Sequence, residues 1–250
     1  MRDERAVHRL LEKHPHPNIV EALDTTRPEG IYFRKYHSCP DPAFTAQGRR
    51  IRWYQDIIRG LAHIHSLGIT HSDLHRANIL LDNKGNAVLS DFGGSCRQGA
   101  SNPFIGTPQN GYTETVCDAS DRFAMGSLIY EMEKGYPPQI RTNSETGDLL
   151  LPRFYTGHDG IDLLIDHAWR GEYTSTREML ARAEELYTTL GREEVRNVVP
   201  KKKLRARIKQ WRKVCEREHG CILYSLPTEV ELHDLEERYG QRMKEEGLRD

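Results

Sequence analysis

Apolar residues recur at intervals of three and four in two stretches near the start of the chain, which is the spacing of a helix that buries one face. The first helix is predicted to end before Asn18, because the segment HPHPNIV carries two prolines and proline cannot continue a helix. Its apolar face consists of Val7, Leu10 and Leu11. The second helix is predicted to end near Gly68, and its apolar face consists of Tyr54, Ile57, Ile58, Leu61 and Ile64.

Short runs of β-prone residues bounded by turn residues predict two hairpins. The first is expected over residues 19–23 and 31–36, which the turn segment DTTRPEG separates. The second is expected over residues 79–82 and 87–89, which NKGN separates, and it leads into the segment DFGG. The predicted sheet content is therefore small.

The segment RFAMGSLIYEM, which follows Asp121, is apolar on nearly every face, as expected of a helix buried inside a helical lobe. The chain from there to about Leu190 is also predicted to be helical. Small hairpins followed by a largely helical region define an α+β fold class. Trp169 is expected to anchor the core of the last helices of this lobe.

The composition bounds the chain to one medium domain or a domain with an appendage, with 250 residues and 36 Lys and Arg against 37 Asp and Glu. The formal charge of -1 gives no overall basic field, so binding to nucleic acid or membrane would need a local patch. No apolar run is long enough for a membrane span, and residues 1–15 lack the apolar core of a secretory signal. Five scattered cysteines without a C-x-x-C pair indicate reduced thiols, and we expect an intracellular protein, cytoplasmic or nuclear.

Residues 191–250 are predicted to form a helical extension, basic at first and acidic later, that follows a domain of residues 1–190. Its basic run from Lys201 to Arg217 is opposed by Glu216 alone. Two amphipathic helices are predicted from two apolar stripes, Leu204, Ile208, Trp211 and Cys215, then Leu232, Leu235, Tyr239 and Met243. The basic run could meet nucleic acid or anionic lipid, but a solvated helix face explains it better, so at most a weak nucleic-acid contact is expected.

Three residues that can bind metals or protons occur at a definite spacing, since Asn78 follows Asp73 by five positions and Asp91 follows Asn78 by thirteen. The second predicted hairpin would return Asp91 beside Asn78. Phosphoryl transfer from ATP needs a carboxylate near the acceptor hydroxyl and oxygen ligands for Mg²⁺, and this set offers both. Two other interpretations are open: ordinary turn residues and helix caps, or a zinc site at His71 and His75, for which no third ligand is apparent.

The segments HSDLHRANILL and LSDFGGS resemble the catalytic loop and the metal-binding DFG segment of eukaryotic protein kinases. Four further segments resemble kinase motifs in the right order: HPNIV the segment after helix C, WYQDIIRGLAHIHSLGITH helix E, IGT the end of the activation segment, and DRFAMGSLIYEM helix F. The resemblance covers about residues 1–190 and is nearest to a group of small, divergent kinases common in fungi. It implies a protein-kinase-like fold with a mainly helical large lobe and a partial small lobe of helix C and two strands.

The resemblance also implies a function, the transfer of the γ-phosphate of ATP to a hydroxyl of a protein substrate, Ser/Thr-directed by default, with ATP and Mg²⁺ as cofactors. Asp73 takes the place of the catalytic base, and His75 that of the residue that steadies the transferring phosphate. Asn78 and Asp91 take the places of the Mg²⁺ ligands, and Glu4 that of the ion-pairing glutamate of helix C. Structural roles are implied for the loop residue His71, the DFG residues Phe92 and Gly93, and Asp121, which would tie down the loop backbone.

Several positions depart from the kinase pattern. Ser72 stands where kinases usually carry an Arg that pairs with a phosphorylated activation loop, so such phosphorylation is a poor candidate for a switch. His75 replaces a Lys or Arg, and the A-P-E motif is absent, with Glu114 as its nearest equivalent. The chain begins within the equivalent of helix C, so no glycine-rich loop and no strand Lys can precede Met1. We therefore expect a truncated form or gene model of a longer kinase, or a small lobe that another segment completes.

These departures leave two alternative functions open. The first is an inactive pseudokinase or truncated scaffold that keeps the large lobe and binds partners. The second is a small-molecule kinase of the aminoglycoside or choline type, because the pattern H-x-D-x-H-x-x-N also resembles those enzymes.

Overall fold

The computed structural model describes residues 2–101, 115–143, 145–146, 148–186 and 199–219. The chain divides into two compact units, one of residues 1–22 and 33–198 and one of residues 23–32 and 199–250. In the described ranges the α-helices are α1 (Arg2–Lys13), α2 (Gln47–Ser66), α3 (Asp118–Lys134), α4 (Asp159–Arg170), α5 (Thr176–Glu184) and α6 (Lys201–His219). The strands are β1 (Ala22–Asp24), β2 (Tyr32–Phe33), β3 (His37–Ser38), β4 (Ile69–Thr70), β5 (Ile79–Leu81), β6 (Ala87–Leu89), β7 (Cys96–Arg97), β8 (Arg141–Thr142) and β9 (Leu149–Leu150).

The segment after α1 is fastened to β6. The helix ends ahead of the two prolines, as predicted, and the chain then runs alongside the strand. Val20 N–H donates to the carbonyl of Leu89 at 2.9 Å, and Leu89 N–H donates to the carbonyl of Asn18 at 2.9 Å. The side-chain amide of Asn18 donates to the carbonyl of Ala87, also at 2.9 Å. These bonds tie the start of the chain to the strand that leads into the DFG segment.

The predicted second hairpin is confirmed, because β5 and β6 pair antiparallel with Ile79 opposite Leu89. β3 pairs with the other edge of β5 and completes a three-stranded sheet. The turn between β5 and β6 is shaped by Asp82, whose Oδ1 accepts the N–H groups of Lys84 and Asn86 at 2.8 and 2.9 Å. Gly85 in this turn has a φ of 79°, a left-handed conformation that glycine adopts without strain. β1 pairs with β2, as the first predicted hairpin requires.

The core of the first unit lies between α2, α3, α4 and α5. The predicted apolar face of α2 is confirmed, since its five residues from Tyr54 to Ile64 are 0% exposed. α3 is buried around most of its circumference and packs against α4, where Gly126 allows a close approach to Ala168. Trp169 anchors this core as predicted, and its indole N–H donates to Oγ of Ser127 at 3.0 Å. None of the helices in the described ranges combines the length and hydrophobicity that a membrane crossing needs.

The prediction of helix from Asp121 to about Leu190 is wrong between α3 and α4, where the described residues 135–143, 145–146 and 148–158 are not helical. α3 ends because Gly135 adopts a left-handed φ of 81° and two prolines, Pro137 and Pro138, follow after one residue. The chain then forms the small antiparallel pair of β8 and β9, and helix resumes only with α4. The α+β fold class is nevertheless confirmed, with helices dominating and small antiparallel sheets beside them.

The second unit contains α6, the first of the two helices predicted for the extension. Leu204, Ile208 and Cys215 of its apolar stripe are partly buried, whereas Trp211 is 48% exposed and meets the ring of Tyr32 edge-on at 6.5 Å. Arg205 donates to the carbonyl of Leu23, and Arg212 pairs with Glu29. The second predicted helix, with the stripe from Leu232 to Met243, lies outside the described residues, and the domain division at residue 190 stays a prediction.

Candidate active site

The loop of residues 71–78, between β4 and β5, is held at its start by Asp121 from the first turn of α3. The carboxylate of Asp121 accepts the backbone N–H of His71 at 2.6 Å and that of Ser72 at 2.9 Å. It also accepts from Nε2 of His65 on α2 at 2.8 Å, and a carboxylate can only accept, so Nε2 carries the proton. One side chain therefore fixes two successive backbone groups of the loop.

Asp121 is fully buried and stays ionised. Burial alone would raise the pKa of its carboxyl, but the hydrogen bonds from His65 and the His71 backbone, with the nearby imidazoles, hold that pKa below its ordinary value. Nδ1 of His65 lies 2.7 Å from Oγ1 of Thr176 at the start of α5. The network thus connects the loop to α2, α3 and α5.

His71 forms the buried underside of the loop. Its Nε2 lies 3.0 Å from the carbonyl oxygen of Ser90, to which it donates. Its Nδ1 has no hydrogen-bond partner in the described part of the chain, and burial lowers the pKa of the ring, which is therefore neutral. The ring packs at 5.2 Å against that of Phe92, which is 0% exposed.

Asp73, His75 and Asn78 lie together on the loop. The carboxylate of Asp73 is partly exposed, with 29% of its side chain accessible. The side-chain amide of Asn78 donates to the Asp73 carbonyl at 2.9 Å and lies 3.4 Å from Asp73 Oδ2, which directs the Asn78 amide oxygen away from Asp73. Nε2 of His75 lies 3.6 Å from Asp73 Oδ2. The carboxylate and an exposed imidazole are therefore neighbours on the accessible side of the loop.

Asp91 lies near Asn78 in space because β5 and β6 pair antiparallel. The residue before it, Ser90, donates both its N–H, at 2.9 Å, and its hydroxyl, at 2.8 Å, to the carbonyl of Asn78. The exposed carboxylate of Asp91 accepts the N–H of Gly93 at 3.1 Å. A Cβ on Gly93 would lie 3.1 Å from the same oxygen, so a larger residue there would crowd it.

Backbone strain is concentrated at the two ends of this arrangement. Among the described residues, the non-glycine positions with positive φ are Ser72, at 65°, and Asp91, at 58°. The left-handed region costs an L-residue about 1–2 kcal/mol. Ser72 is held there by Asp121 and by the hydroxyl of Thr70, 2.9 Å from its own. Strain of this kind is typical of functional sites.

The donor set suits a hard cation on a nucleotide. Asn78 and Asp91 offer an amide and a carboxylate oxygen, and Mg²⁺ is commonly held by one or two such groups together with phosphate oxygens and water. No group of three or more His, Cys, Asp and Glu side chains in the described ranges could hold a metal by itself. The zinc alternative therefore finds no support there, and Nε2 of His71 is already used by Ser90.

Glu4 on α1 lies close to a residue that the sequence did not single out. Its Oε1 is 4.0 Å from Nε2 of His8, which is 1% exposed between the rings of Phe33 and Phe92, at 4.7 and 5.4 Å. Neither ring nitrogen of His8 has a hydrogen-bond partner within the described ranges, and burial lowers its pKa to about 4. Phe92 thus contacts an imidazole from α1 on one side and His71 of the loop on the other.

Sequence reasoning also missed His65 as the partner of Asp121. Both histidines could have been found by their place on a helix, since His8 lies three positions before the buried Leu11, and His65 lies four positions after the buried Leu61. The segment IGT and Glu114, to which the resemblance assigned the end of the activation segment, lie outside the described residues.

Comparison with known proteins agrees with this geometry. The family model described as the protein kinase domain matches residues 1–149, which is more than half of the chain. The chain belongs to the protein kinase family.

Curated relatives include serine/threonine kinases from distant eukaryotes. The chain is 37% identical over 155 residues to a RAC family serine/threonine-protein kinase homolog of Dictyostelium discoideum, covering 52% of this chain and 33% of the relative. It is 32% identical to mitogen-activated protein kinase kinase kinase 3 of Arabidopsis thaliana, with coverages of 52% and 23%. It is also 32% identical to serine/threonine-protein kinase Sgk1 of Gallus gallus, with coverages of 56% and 35%. The chain thus spans about a third or less of the length of these relatives.

Proposed function

We propose that the chain transfers the γ-phosphate of ATP to a hydroxyl group of a protein, with serine and threonine as acceptors. The observation that carries the proposal is the fixed loop, in which Asp121 holds the backbone of His71 and Ser72 while Asp73 stays accessible beside Asn78. The relatives from Dictyostelium discoideum and Gallus gallus are described as serine/threonine-protein kinases, which supports a protein acceptor over a small molecule.

In the proposed reaction, Asp73 orients the acceptor hydroxyl and takes its proton while the hydroxyl oxygen forms a bond to the γ-phosphorus. The bond from that phosphorus to the bridging oxygen of ADP breaks, and the electron pair leaves with ADP. Asn78 and Asp91 would hold Mg²⁺, which when bound neutralises charge on the phosphates. The bond from the Asn78 amide fixes the loop beside the carboxylate of Asp73 and leaves the amide oxygen for the cation.

The other site residues receive supporting roles. His75 would contact the transferring phosphate through an imidazole N–H, which carries a full positive charge only when the ring is protonated. Glu4 would contribute to the nucleotide site from α1, as the matching glutamate of kinases does by ion pairing. His71, Phe92 and Gly93 would shape the loop and the DFG segment, and Asp121 would fix the loop backbone.

The proposal places the protein inside the cell, where ATP is supplied and thiols stay reduced. For nucleic acid we propose at most a weak contact, through the basic run from Lys201 to Arg217. Two cations of the basic run are already engaged in the second unit, Arg205 with a carbonyl and Arg212 with Glu29.

The experiment is a transfer assay with γ-labelled ATP, Mg²⁺ and a generic protein acceptor. We expect Asp73→Asn to lower the rate about 100-fold or more, since a positioned base contributes roughly that much. Asp91→Asn should also lower the rate of transfer strongly, whereas Asp148→Asn, which changes an exposed carboxylate outside the site, should leave it unchanged. Melting temperatures of the variants control for misfolding.

Two outcomes would contradict the proposal. If the wild-type chain transfers no phosphate to any acceptor and Mg²⁺-ATP does not raise its melting temperature, the phosphotransferase function is wrong and a scaffold role remains. If transfer survives Asp73→Asn unchanged, the function stands but the base is misassigned.

A further inference from the structure

A groove of about 440 Å³ lies on the first unit, between α2 and α5, and none of its lining residues belongs to the candidate active site. One wall carries Arg59 and His63 of α2, and the other carries Arg177 and Glu184 of α5. Ala62 and Ala181, one from each helix, are small side chains that leave space between the two walls. The groove is open to solvent along the helices. Small-molecule sites usually bury most of their ligand, so this shape suits an extended chain better.

The cations of the groove are only partly used. Arg59 donates to the carboxylate of Glu184 from Nε at 3.0 Å and from Nη2 at 2.8 Å. Its Nη1 donates to Asp56 at 3.1 Å. Its guanidinium carries five N–H groups, so two of them remain for a ligand. Arg177 is exposed and has neither a hydrogen bond nor an ion pair in the part of the chain that the structure describes. Glu184, the carboxylate of the groove, is engaged by Arg59.

Two imidazoles line the groove, and one of them adds a further donor. His16 and His63 stack with their ring centroids 4.8 Å apart. Nδ1 of His16 accepts the N–H of Asn18 at 3.2 Å, and Nε2 of His63 lies 2.8 Å from the carbonyl of His14, to which it donates. Nε2 of His16 therefore remains as a donor, whereas Nδ1 of His63, on a ring whose proton is on Nε2, is an acceptor. Burial first, and then His63 and Arg59, lower the pKa of His16 to about 4.

We propose that this groove binds a peptide segment of a partner protein through a phosphorylated serine or threonine. A phosphate monoester carries close to two negative charges and three acceptor oxygens, which matches two guanidinium groups and the N–H of His16 more fully than a carboxylate does. Glu184 and Asp56 offset the charge of Arg59, so a dianion would meet the guanidinium of Arg177, unpaired among the described residues, and the remaining N–H groups of Arg59 and His16. This inference does not depend on phosphoryl transfer by the chain, since binding needs no ATP.

A bound phosphate should also change the titration of His16. The ionisable groups around His16 are His63 and Arg59 on α2, with Arg177 and Glu184 across the groove on α5. A bound phosphate adds negative charge to this set and so favours the protonated form of His16. The imidazole signal of His16 in an NMR titration should therefore move to higher pH when the peptide is bound.

The test is fluorescence anisotropy with a degenerate phosphoserine and phosphothreonine peptide library, against the same library without phosphate and with glutamate in its place. We expect Arg177→Glu to weaken binding of the phosphorylated library at least about tenfold, which is the loss of one charged hydrogen-bonding partner. Arg182→Glu is the matched control on the same helix, because Arg182 pairs with Glu185 and does not line the groove. The affinity of the Arg182→Glu variant for the phosphorylated library should stay within about twofold of that of the wild type.

Three results would overturn the proposal. The first is equal binding of the library without phosphate or with glutamate. The second is unchanged binding by Arg177→Glu, whose exposed position makes misfolding easy to exclude by its melting temperature. The third is binding only to vesicles that contain phosphoinositides, which would assign the groove to a lipid headgroup.

Discussion

His8 places an ionisable ring in a buried, apolar environment. We expect His8→Leu to raise the free energy of unfolding at neutral pH and to remove much of the loss of stability in acid. The ring lies between Phe33 and Phe92 with 1% of its surface exposed, and both nitrogens lack hydrogen-bond partners among the described residues. Leucine keeps the apolar contacts and leaves no polar atom unpaired. A buried unpaired polar group costs about 1–3 kcal/mol, so we expect a gain of about 1 kcal/mol at neutral pH.

The acid effect follows from the pKa of His8, which is lowered from 6.5 to about 4 by burial, with Glu12 and Asp91 opposing that change in part. Because the folded pKa lies below the unfolded one, the unfolded chain binds the proton first. Protonation of His8 therefore does not reduce the free energy of unfolding above about pH 6.5, but reduces it progressively as the pH falls towards 4. At about 1.4 kcal/mol for each pH unit, this loss amounts to about 3 kcal/mol.

The assay is urea unfolding followed by tryptophan fluorescence at several pH values between neutral and about 4.5. The wild type should lose stability across this range, and His8→Leu should lose less by about 2–3 kcal/mol, with the contribution of His16 common to both. His37→Leu is the control, since the His37 side chain is exposed and its ring lies 3.1 Å from the side chain of Asn83 in the β5–β6 turn. An equal pH dependence for the wild type and His8→Leu would refute the reasoning.

Two further substitutions test the packing around the loop. Asp121→Asn replaces one accepting oxygen by an NH2 group, which cannot accept, so one of the three donors to Asp121 loses its partner. The free energy of unfolding of this variant should fall by about 3 kcal/mol. For Asp118→Asn, at a partly exposed position, the fall should be less than about 1 kcal/mol. Because the pKa of Asp121 is lowered, this contribution is present above about pH 4, and wild type and variant should converge in stronger acid. Gly60→Ala would place a Cβ atom 2.8 Å from Cδ1 of Leu89 and 2.9 Å from the carbonyl oxygen of Asn18. The melting temperature of this variant should therefore fall, although alanine has the better helix propensity. A rise in melting temperature would show that the space beside Gly60 is not as tight as described.

The helices that face the core and the β5–β6 hairpin could be predicted because their signals are local. The stripe from Tyr54 to Ile64 repeats often enough to fix both the type and the buried face of α2. The turn NKGN supplies Gly85 where a left-handed residue is needed. The spacing from Asp73 to Asn78 and Asp91 then placed all three around one hairpin, and the pairing of Ile79 with Leu89 brings Asn78 and Asp91 together.

What could not be predicted depends on contacts distant in sequence. β3, β4 and β7 are strands of two residues, too short for any periodicity, and exist because a partner strand lies beside them. The error over residues 135–158 is different in kind, because Gly135 and the two prolines after it were a local signal against helix that the general apolar pattern obscured. The bond between His65 and Asp121 joins residues 56 positions apart, and only the packing of α2 on α3 reveals it.

The hold of Asp121 on the loop has a consequence for how the protein opens. Amide hydrogens of His71 and Ser72 are bonded to a carboxylate that is itself buried among α2, α3 and α5, so their exchange with solvent requires opening of the helical core. Within the described ranges, the amide of Gly93 is bonded only to the exposed carboxylate of Asp91, so a small local fluctuation releases it. The proposed base, Asp73, therefore follows a segment that opens only together with the helical core. The proposed metal ligand Asp91 lies in a segment that can open by a local fluctuation.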